Sequence, residues 1–262
     1  MNDKVARDAA RPVYFVGAGP GAPDLITVRG KRLVDTADLI IYAGSLVNPA
    51  VFSHSKAKIL DSSGMDLEQI IDAMANGYRQ GQLVVRLHTG DPSLFGATME
   101  QMRRLDMLNI PYEVVPGVSS ASASAASLKK ELTCPGISQT VIFTRRAGRT
   151  PVPPGQDIPS LASHQATMCI FLSVSVIDEL AGELVQGGYP ESTPAAVIER
   201  ASWPEERVIT GTLGDIGPKV RKAGIKRTAM ILVGGALSPG KEARDSRLYD
   251  PAFSHGYRNG IE

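Results

Sequence analysis

An excess of either charge is missing from this sequence: 28 Lys and Arg stand against 27 Asp and Glu, a net charge of +1. Without a general basic field, a protein that coats nucleic acid is excluded, although local basic clusters stay open. Cysteine is scarce. Cys134 and Cys169 lie far apart and make no C-x-x-C or Cys/His spacing, so neither a disulfide framework nor a thiolate metal site is expected. The four histidines, His54, His88, His164 and His255, are too scattered for an evident metal cluster, and no metal is expected. No tandem repeat or low-complexity tract stands out. The opening stretch MNDKVARDAARP is polar, with no apolar segment for a signal or membrane span. It is expected to fray, and the protein to be soluble and cytoplasmic, with neither membrane nor nucleic acid as partner.

What is present is ordinary globular composition, 43% apolar and 21% charged over 262 residues, enough for one large core or two modest ones. The organising stretch is GAGPGAPDLIT, Gly17 to Thr27, directly after the apolar run Val13-Tyr14-Phe15-Val16. Glycines at 17, 19 and 21 remove side chains that would keep a ligand or a neighbouring backbone away, and Pro20 and Pro23 stiffen the loop. A strand ending this way at the carboxyl edge of an open α/β sheet is where such folds bind ligands. Read as G-x-G-x-x-A, the loop also fits a dinucleotide fingerprint, which requires an acidic residue at the end of the second strand. That strand, Asp38 to Tyr42, ends in Ala43-Gly44-Ser45 without one, and the nicotinamide reading drops.

Thr27 reads as the N-cap of a helix over 28–36, and Asp66 with Gln69 as a capping box opening a helix that Gly81 closes. A loop is expected around 61–64. A buried strand over 83–87 runs into His88-Thr89-Gly90-Asp91-Pro92, a helix follows over 97–108, and Tyr112 to Val115 is a strand. The alternation specifies a parallel doubly wound domain. Ser119 to Ser127, almost wholly Ser and Ala, reads as a helix start whose small side chains let a ligand approach. Strands follow at 140–144, 167–172, 195–199, 207–210 and 229–233, with helices over 176–186 and 213–223 and a Pro-rich loop over 149–159. The turn Ser202-Trp203-Pro204-Glu205 joins two of these strands as an antiparallel hairpin, so the second sheet is mixed. The fold class is α/β with two αβα domains, the first over 11–115 and the second over 116–238, followed by a tail over 239–262.

Four motifs stand in order after strands: GAGPG at 17–21, ADLIIYAGSLV at 37–47, VVRLHTGDPSLFG at 84–96 and VVPGVSSASA at 114–123. Together with FLS at 171–173, TPAAVIERAS at 193–202 and TAMILVGG at 228–235, they closely resemble the tetrapyrrole (corrin and porphyrin) methylase family over nearly all of 13–236. YAGSLV and TGDPSLFGATMEQM, with the tail SRLYDPAFSHGYR, look like the branch that methylates precorrin-4 at carbon 11 on the cobalamin route. The resemblance implies a cleft between two domains, S-adenosylmethionine as methyl donor, precorrin-4 as small-molecule partner, and a homodimer. It implies that Pro20, Thr89, Gly90, Asp91, Leu94, Ser119, Ser120, Leu172 and Ala201 line the donor site. Many of these are small residues, as recognition by main-chain groups requires.

Methyl transfer from a sulfonium needs alignment and exclusion of water more than a strong acid. Relatives that methylate uroporphyrinogen carry an Asp after the strand-two Tyr, where this chain has Ala43. If a base is needed it comes from elsewhere, with Glu100 the candidate, or the substrate carbon attacks directly. Gly17, Gly19 and Gly21 open space for the acceptor. Its many carboxylates call for bidentate arginines, and Arg29, Arg145, Arg146, Arg149 and Arg200 lie beside the motif loops. His88 abuts the loop as a ligand contact or a satisfied strand-end histidine, and Asp91 either caps the next helix or holds the loop. Cobalt-precorrin-4, another precorrin carbon, or a non-catalytic tetrapyrrole-binding role remain the alternatives.

Overall fold

The structure, a computed structural model, describes residues 11–44, 46–241 and 243–260. The fraying expected of residues 1–10, and the Ser45 position of the second motif, lie outside the described residues. The chain divides into two compact units, the first of residues 1–123 with 200–205, the second of 124–199 with 206–262.

The first unit is a parallel sheet of β1 (Val13–Gly17), β2 (Leu39–Tyr42), β3 (Lys58–Asp61), β4 (Val84–His88) and β5 (Tyr112–Val115), in the order β3-β2-β4-β1-β5. Its inner strands β1, β2 and β4 are buried almost throughout because both faces are covered. Val16, Ile40, Val85 and Leu87 pack on one side with Val34 of α1 (Val28–Thr36). Val13, Phe15, Ile41 and Val84 pack on the other with Ile71 and Met74 of α2 (Leu67–Arg79) and Leu105 of α3 (Met99–Met107). The expected caps form: Thr27 Oγ1 accepts from the Gly30 amide at 3.1 Å, and Asp66 and Gln69 make a reciprocal capping box. Pro23–Leu25 forms one 3-10 turn before α1, consistent with prolines that delay the helix.

Lys58–Asp61, to which the sequence reading assigned no element, is the edge strand β3; it takes in the first residue of the loop expected around 61–64, and the other three remain a loop. Three of its four residues are exposed, so no alternation marks it in the sequence; pairing with β2 alone makes it a strand.

The second unit carries β6 (Val141–Arg145), β7 (Thr167–Phe171), β8 (Pro194–Glu199), β9 (Arg207–Thr212) and β10 (Ala229–Val233), in the order β6-β7-β10-β8-β9. Only β6 and β7 are parallel; the β8–β9 hairpin is antiparallel as expected, so the sheet is mixed. One face packs Met168, Ile170, Val197 and Ile231 against α5 (Ile158–Ala162), α6 (Ile177–Gln186) and α7 (Ile216–Lys222). The end of the Pro-rich loop winds into α5 because Asp157 caps it, its carboxylate taking the Ser160 amide at 3.0 Å. The Ser/Ala-rich stretch is α4 (Ser120–Leu128), and the division between units falls inside it.

Candidate active site

Three adjacent strands of the first sheet, β4, β1 and β5, end in loops that are sewn together by backbone. Gly19 and Gly90 pair across the first two loops, Gly90 N donating to Gly19 O at 2.8 Å and Gly19 N to Gly90 O at 3.3 Å. Both residues sit at positive φ, +77° and +61°. The third loop closes on them through Gly117, where an added Cβ would lie 2.1 Å from Gly90 O and 2.8 Å from Gly17 Cα. Nothing there is a flexible side chain, so these glycines are required by the approach of main chain to main chain. The arrangement brings main chain from three loops together at the carboxyl edge of a parallel sheet, where open α/β folds take ligands.

Asp91 locks this corner and does not cap α3. Its Oδ2 accepts from Gly117 N at 2.8 Å and its Oδ1 from Ser93 N at 2.8 Å, while α3 starts at Met99 with no side-chain cap. Burial works against the charged form, but the Ser93 hydroxyl and the Gly117 and Ser93 amides outweigh it and hold the carboxyl below its ordinary pKa. Thr89 is exposed beside it, and Leu94 N closes the turn on Asp91 O at 3.2 Å. Phe95 and Ala97, two residues apart in the same loop, hold φ of 54° and 48°. Each costs about 1–3 kcal/mol, a strain typical of binding loops. At the start of α4, Ser119 Oγ accepts from Ala121 N at 3.2 Å, and the fully buried Ala121 leaves Ser119 and Ser120 half-exposed.

The segment Arg200–Glu205 completes this unit. Trp203 Nε1 donates to Pro20 O at 2.9 Å, Ala22 N donates to Ser202 Oγ at 3.0 Å, and Arg200 stacks 5.6 Å from the indole centroid. Ala201 is buried within it. Pro20, Gly17, Gly19, Gly21, Thr89, Gly90, Asp91, Leu94, Ser119, Ser120 and Ala201 therefore belong to one unit.

Leu172, Arg145 and Arg146 belong to the other. Leu172 follows β7 at φ +55° with 73% of its surface exposed, an apolar side chain held out of the core on a strained backbone. Arg146 is paired with Glu183 through Nε (2.9 Å) and Nη2 (2.7 Å), and Arg145 holds the Thr150 and Pro151 carbonyls of the Pro-rich loop at 3.1 and 2.9 Å. Arg29 pairs with Glu113 and Arg200 with Glu205. Arg149 is exposed and, among the described residues, makes no side-chain hydrogen bond or ion pair. Of the five candidate arginines it is the one whose guanidinium is uncommitted. Glu100 is exposed in the first turn of α3, where a carboxylate complements the helix dipole.

His88 is buried at the end of β4, stacked 5.9 Å from Phe15. Burial and the Arg86 charge beside it, against a backbone hydrogen bond with Gly96 that favours the charged form, lower its pKa to about 3, so the ring is neutral, and its Nε2 has no partner among the described residues. Arg86 is also buried, bonded to Gln101 at 3.0 Å, Ser62 at 3.0 Å and Ile41 O at 3.3 Å, and desolvation lowers its pKa to about 10. It stays charged at neutral pH.

Two residues escaped the sequence reading as site residues. Trp203 was legible only as part of a turn. Asp61, at the end of the unforeseen β3, lies opposite Tyr42 in register and turns its carboxylate to the Gly44 amide, 3.0 Å from Oδ1. No group of three or more His, Cys, Asp or Glu side chains among the described residues is placed to hold a metal, and no helix is long and apolar enough to cross a membrane.

A parallel sheet with glycine-rich loops at its carboxyl edge, followed by a mixed sheet, defines an α/β protein of two units. The family model for tetrapyrrole (corrin/porphyrin) methylases matches residues 12–217, and the chain belongs to that family. It is 54% identical over 253 residues to a cobalt-precorrin-4 C(11)-methyltransferase of Methanocaldococcus jannaschii, covering 96% of this chain and 97% of the relative. It is 49% identical over 249 residues to a precorrin-4 C(11)-methyltransferase of Pseudomonas aeruginosa, covering 95% and 99%. Among solved structures, a cobalt precorrin-4 methyltransferase of cobalamin biosynthesis superposes with a TM-score of 0.84 at 44% identity, covering 87% of this chain and 96% of that one. A uroporphyrin-III C-methyl transferase from Thermus thermophilus, complexed with S-adenyl homocysteine, superposes with a TM-score of 0.74 at 28% identity, covering 87% and 94%.

Proposed function

We propose that the protein is an S-adenosylmethionine-dependent C-methyltransferase that methylates carbon 11 of precorrin-4, giving precorrin-5 in cobalamin biosynthesis. The observation that carries this reading is likeness along nearly the whole chain, at 44–54% identity, to relatives named for that reaction, both metal-free and cobalt-bearing.

The loops supply what the chemistry asks of the protein. The paired Gly19 and Gly90, packed closely against Gly17 and Gly117, would present fixed peptide groups, which hold a donor in line for displacement without reorganising. S-adenosylmethionine would be held by Pro20, Thr89, Gly90, Asp91, Leu94, Ser119, Ser120, Leu172 and Ala201. Arg149, with its uncommitted guanidinium, is the first choice for an acceptor carboxylate. The protein acts as a cytoplasmic homodimer in this reading. Incubation with methyl-labelled S-adenosylmethionine and precorrin-4 should give labelled precorrin-5 and S-adenosylhomocysteine. Tight pigment binding without transfer of label would mark a carrier instead.

The 54% identity to a cobalt-precorrin-4 enzyme favours a second acceptor, the cobalt-loaded ring. Competition between precorrin-4 and cobalt-precorrin-4 for the labelled methyl group, read as a ratio of kcat/KM values, separates the two.

A further inference from the structure

The loop after β2 contains a glycine whose missing side chain is replaced by another residue. A Cβ built on Gly44 would lie 2.2 Å from Asp61 Oδ2, 2.5 Å from Oδ1 and 2.6 Å from Cγ. Gly44 does not sit at positive φ. Its φ does not call for glycine, and the nearest atoms that exclude a side chain are those of the Asp61 carboxylate. The carboxylate thus occupies the space into which a residue-44 side chain would project, although it comes from the neighbouring strand. Two amides fix it there, Gly44 N at 3.0 Å and Ser63 N at 2.8 Å, both on Oδ1. Oδ2 receives no backbone hydrogen bond among the described residues, and the side chain is exposed. The result is an oriented carboxylate, held over Gly44 and exposed at the carboxyl edge of the parallel sheet.

Its position suits the acceptor and not the donor loops. In the order β3-β2-β4-β1-β5, the end of β3 is three strand spacings from β1, about 14 Å. A macrocycle with its side arms bridges that distance from the glycine corner. On the reading given under Proposed function, we infer that Asp61 is a catalytic residue, the carboxylate that faces the acceptor ring and balances the positive charge formed on it during methyl transfer.

The charge follows from the electron count. A π pair of the ring carbon forms the new C–CH3 bond, the S–CH3 bond pair returns to sulfur, and the donor becomes a neutral thioether. The positive charge passes from sulfur to the ring nitrogen conjugated with the attacking carbon. An N–H on that nitrogen then becomes acidic and its proton leaves to water. A fixed anion placed where this charge develops stabilises the transition state more than the neutral ground state. The Ser63 amide and hydroxyl and the Gly44 amide hold Asp61 below the ordinary carboxylate pKa despite partial desolvation, which keeps it ionised. That suits a counter-ion, which must stay charged, better than a strong base.

Asp61→Asn tests this, because the amide oxygen can still accept from Gly44 and Ser63. With wild-type turnover of precorrin-4 as the reference, the variant should keep its thermal midpoint and its S-adenosylhomocysteine affinity within about twofold, while kcat falls about 10²–10³-fold. Asp61→Gly should lose activity likewise. Adding Gly44→Asp to Asp61→Gly returns a carboxylate to the same space from the other strand and should recover at least tenfold. Wild-type kcat in Asp61→Asn overturns the assignment. So does a double variant that folds and binds S-adenosylhomocysteine yet stays as slow as Asp61→Gly. If the wild type itself transfers no methyl group to either precorrin-4 or its cobalt form, the reaction assigned above is wrong, and the role of Asp61 falls with it.

Discussion

The indole of Trp203 takes the place of a side chain at Gly21: a Cβ there would lie 2.0 Å from Cδ1 and 2.1 Å from Nε1, the atom that donates to Pro20 O. The side chain cannot be restored without expelling the ring and breaking that bond. Gly21→Ala is therefore expected to lower stability by about 1–3 kcal/mol. Trp203 is the single tryptophan, so urea denaturation followed by its fluorescence reads both the stability and the local environment. The emission of folded Gly21→Ala should shift to longer wavelength as the indole is driven into water. An unshifted spectrum with unchanged midpoint would contradict the contact.

Gly117→Ala should be worse than Gly21→Ala, because its Cβ meets only backbone, Gly90 O at 2.1 Å and Gly17 Cα at 2.8 Å. The three loops would have to separate. We expect S-adenosylhomocysteine affinity, measured by calorimetry, to fall at least tenfold even where circular dichroism shows a folded protein.

Asp91 ties its loop to Gly117, and its pKa is depressed in the folded state. A carboxyl with a depressed folded pKa contributes stability that is present above its unfolded value, about 3.9, and is lost as pH falls through the folded one. The stability gap between wild type and Asp91→Asn, from urea titrations, should be constant at neutral pH and shrink below about pH 4.

His88 has the opposite chemistry and the same direction. Its folded pKa of about 3 lies below the unfolded value of about 6.5, so acid favours the unfolded chain, which takes up the proton first. Stability should decline as pH falls from about 6.5 towards 3, and His88→Gln should remove that component. NMR of the ring should show no titration of His88 between pH 5 and 8 in the folded protein.

If Arg149 receives an acceptor carboxylate, Arg149→Ala should raise KM for precorrin-4 about tenfold or more and leave the thermal midpoint unchanged. Arg146→Ala, which strips a partner from the half-buried Glu183, should lower the midpoint instead. Thermal melts and initial rates on the two variants distinguish binding from support.

The sequence is most readable where the physics is local. Thr27 and Asp66 announce their helices because a cap needs only residues three apart, and the apolar run at 13–16 and the mostly apolar stretch at 83–87, broken only by Arg86, announce strands covered on both faces. The glycine corner was legible as glycines but not as a junction, since Gly17, Gly90 and Gly117 meet only through the register of β4-β1-β5. Lys58–Asp61 carries no periodicity, being exposed on an edge, and so the carboxylate it delivers to Gly44 was invisible. Among the arginines, position beside a motif said nothing about commitment: Arg146 answers to Glu183, a helix residue 37 positions away.

The bond from Trp203 to Pro20 spans 183 residues. As the chain leaves the ribosome, the first sheet can pair its strands once Val115 has emerged, yet its opening loop keeps a bare carbonyl until the β8–β9 turn is made. Synthesis thus ends the N-terminal unit late, after the strands β6 to β8 of the other, and a nascent chain stalled between residues 123 and 200 should hold the glycine corner without its indole cover.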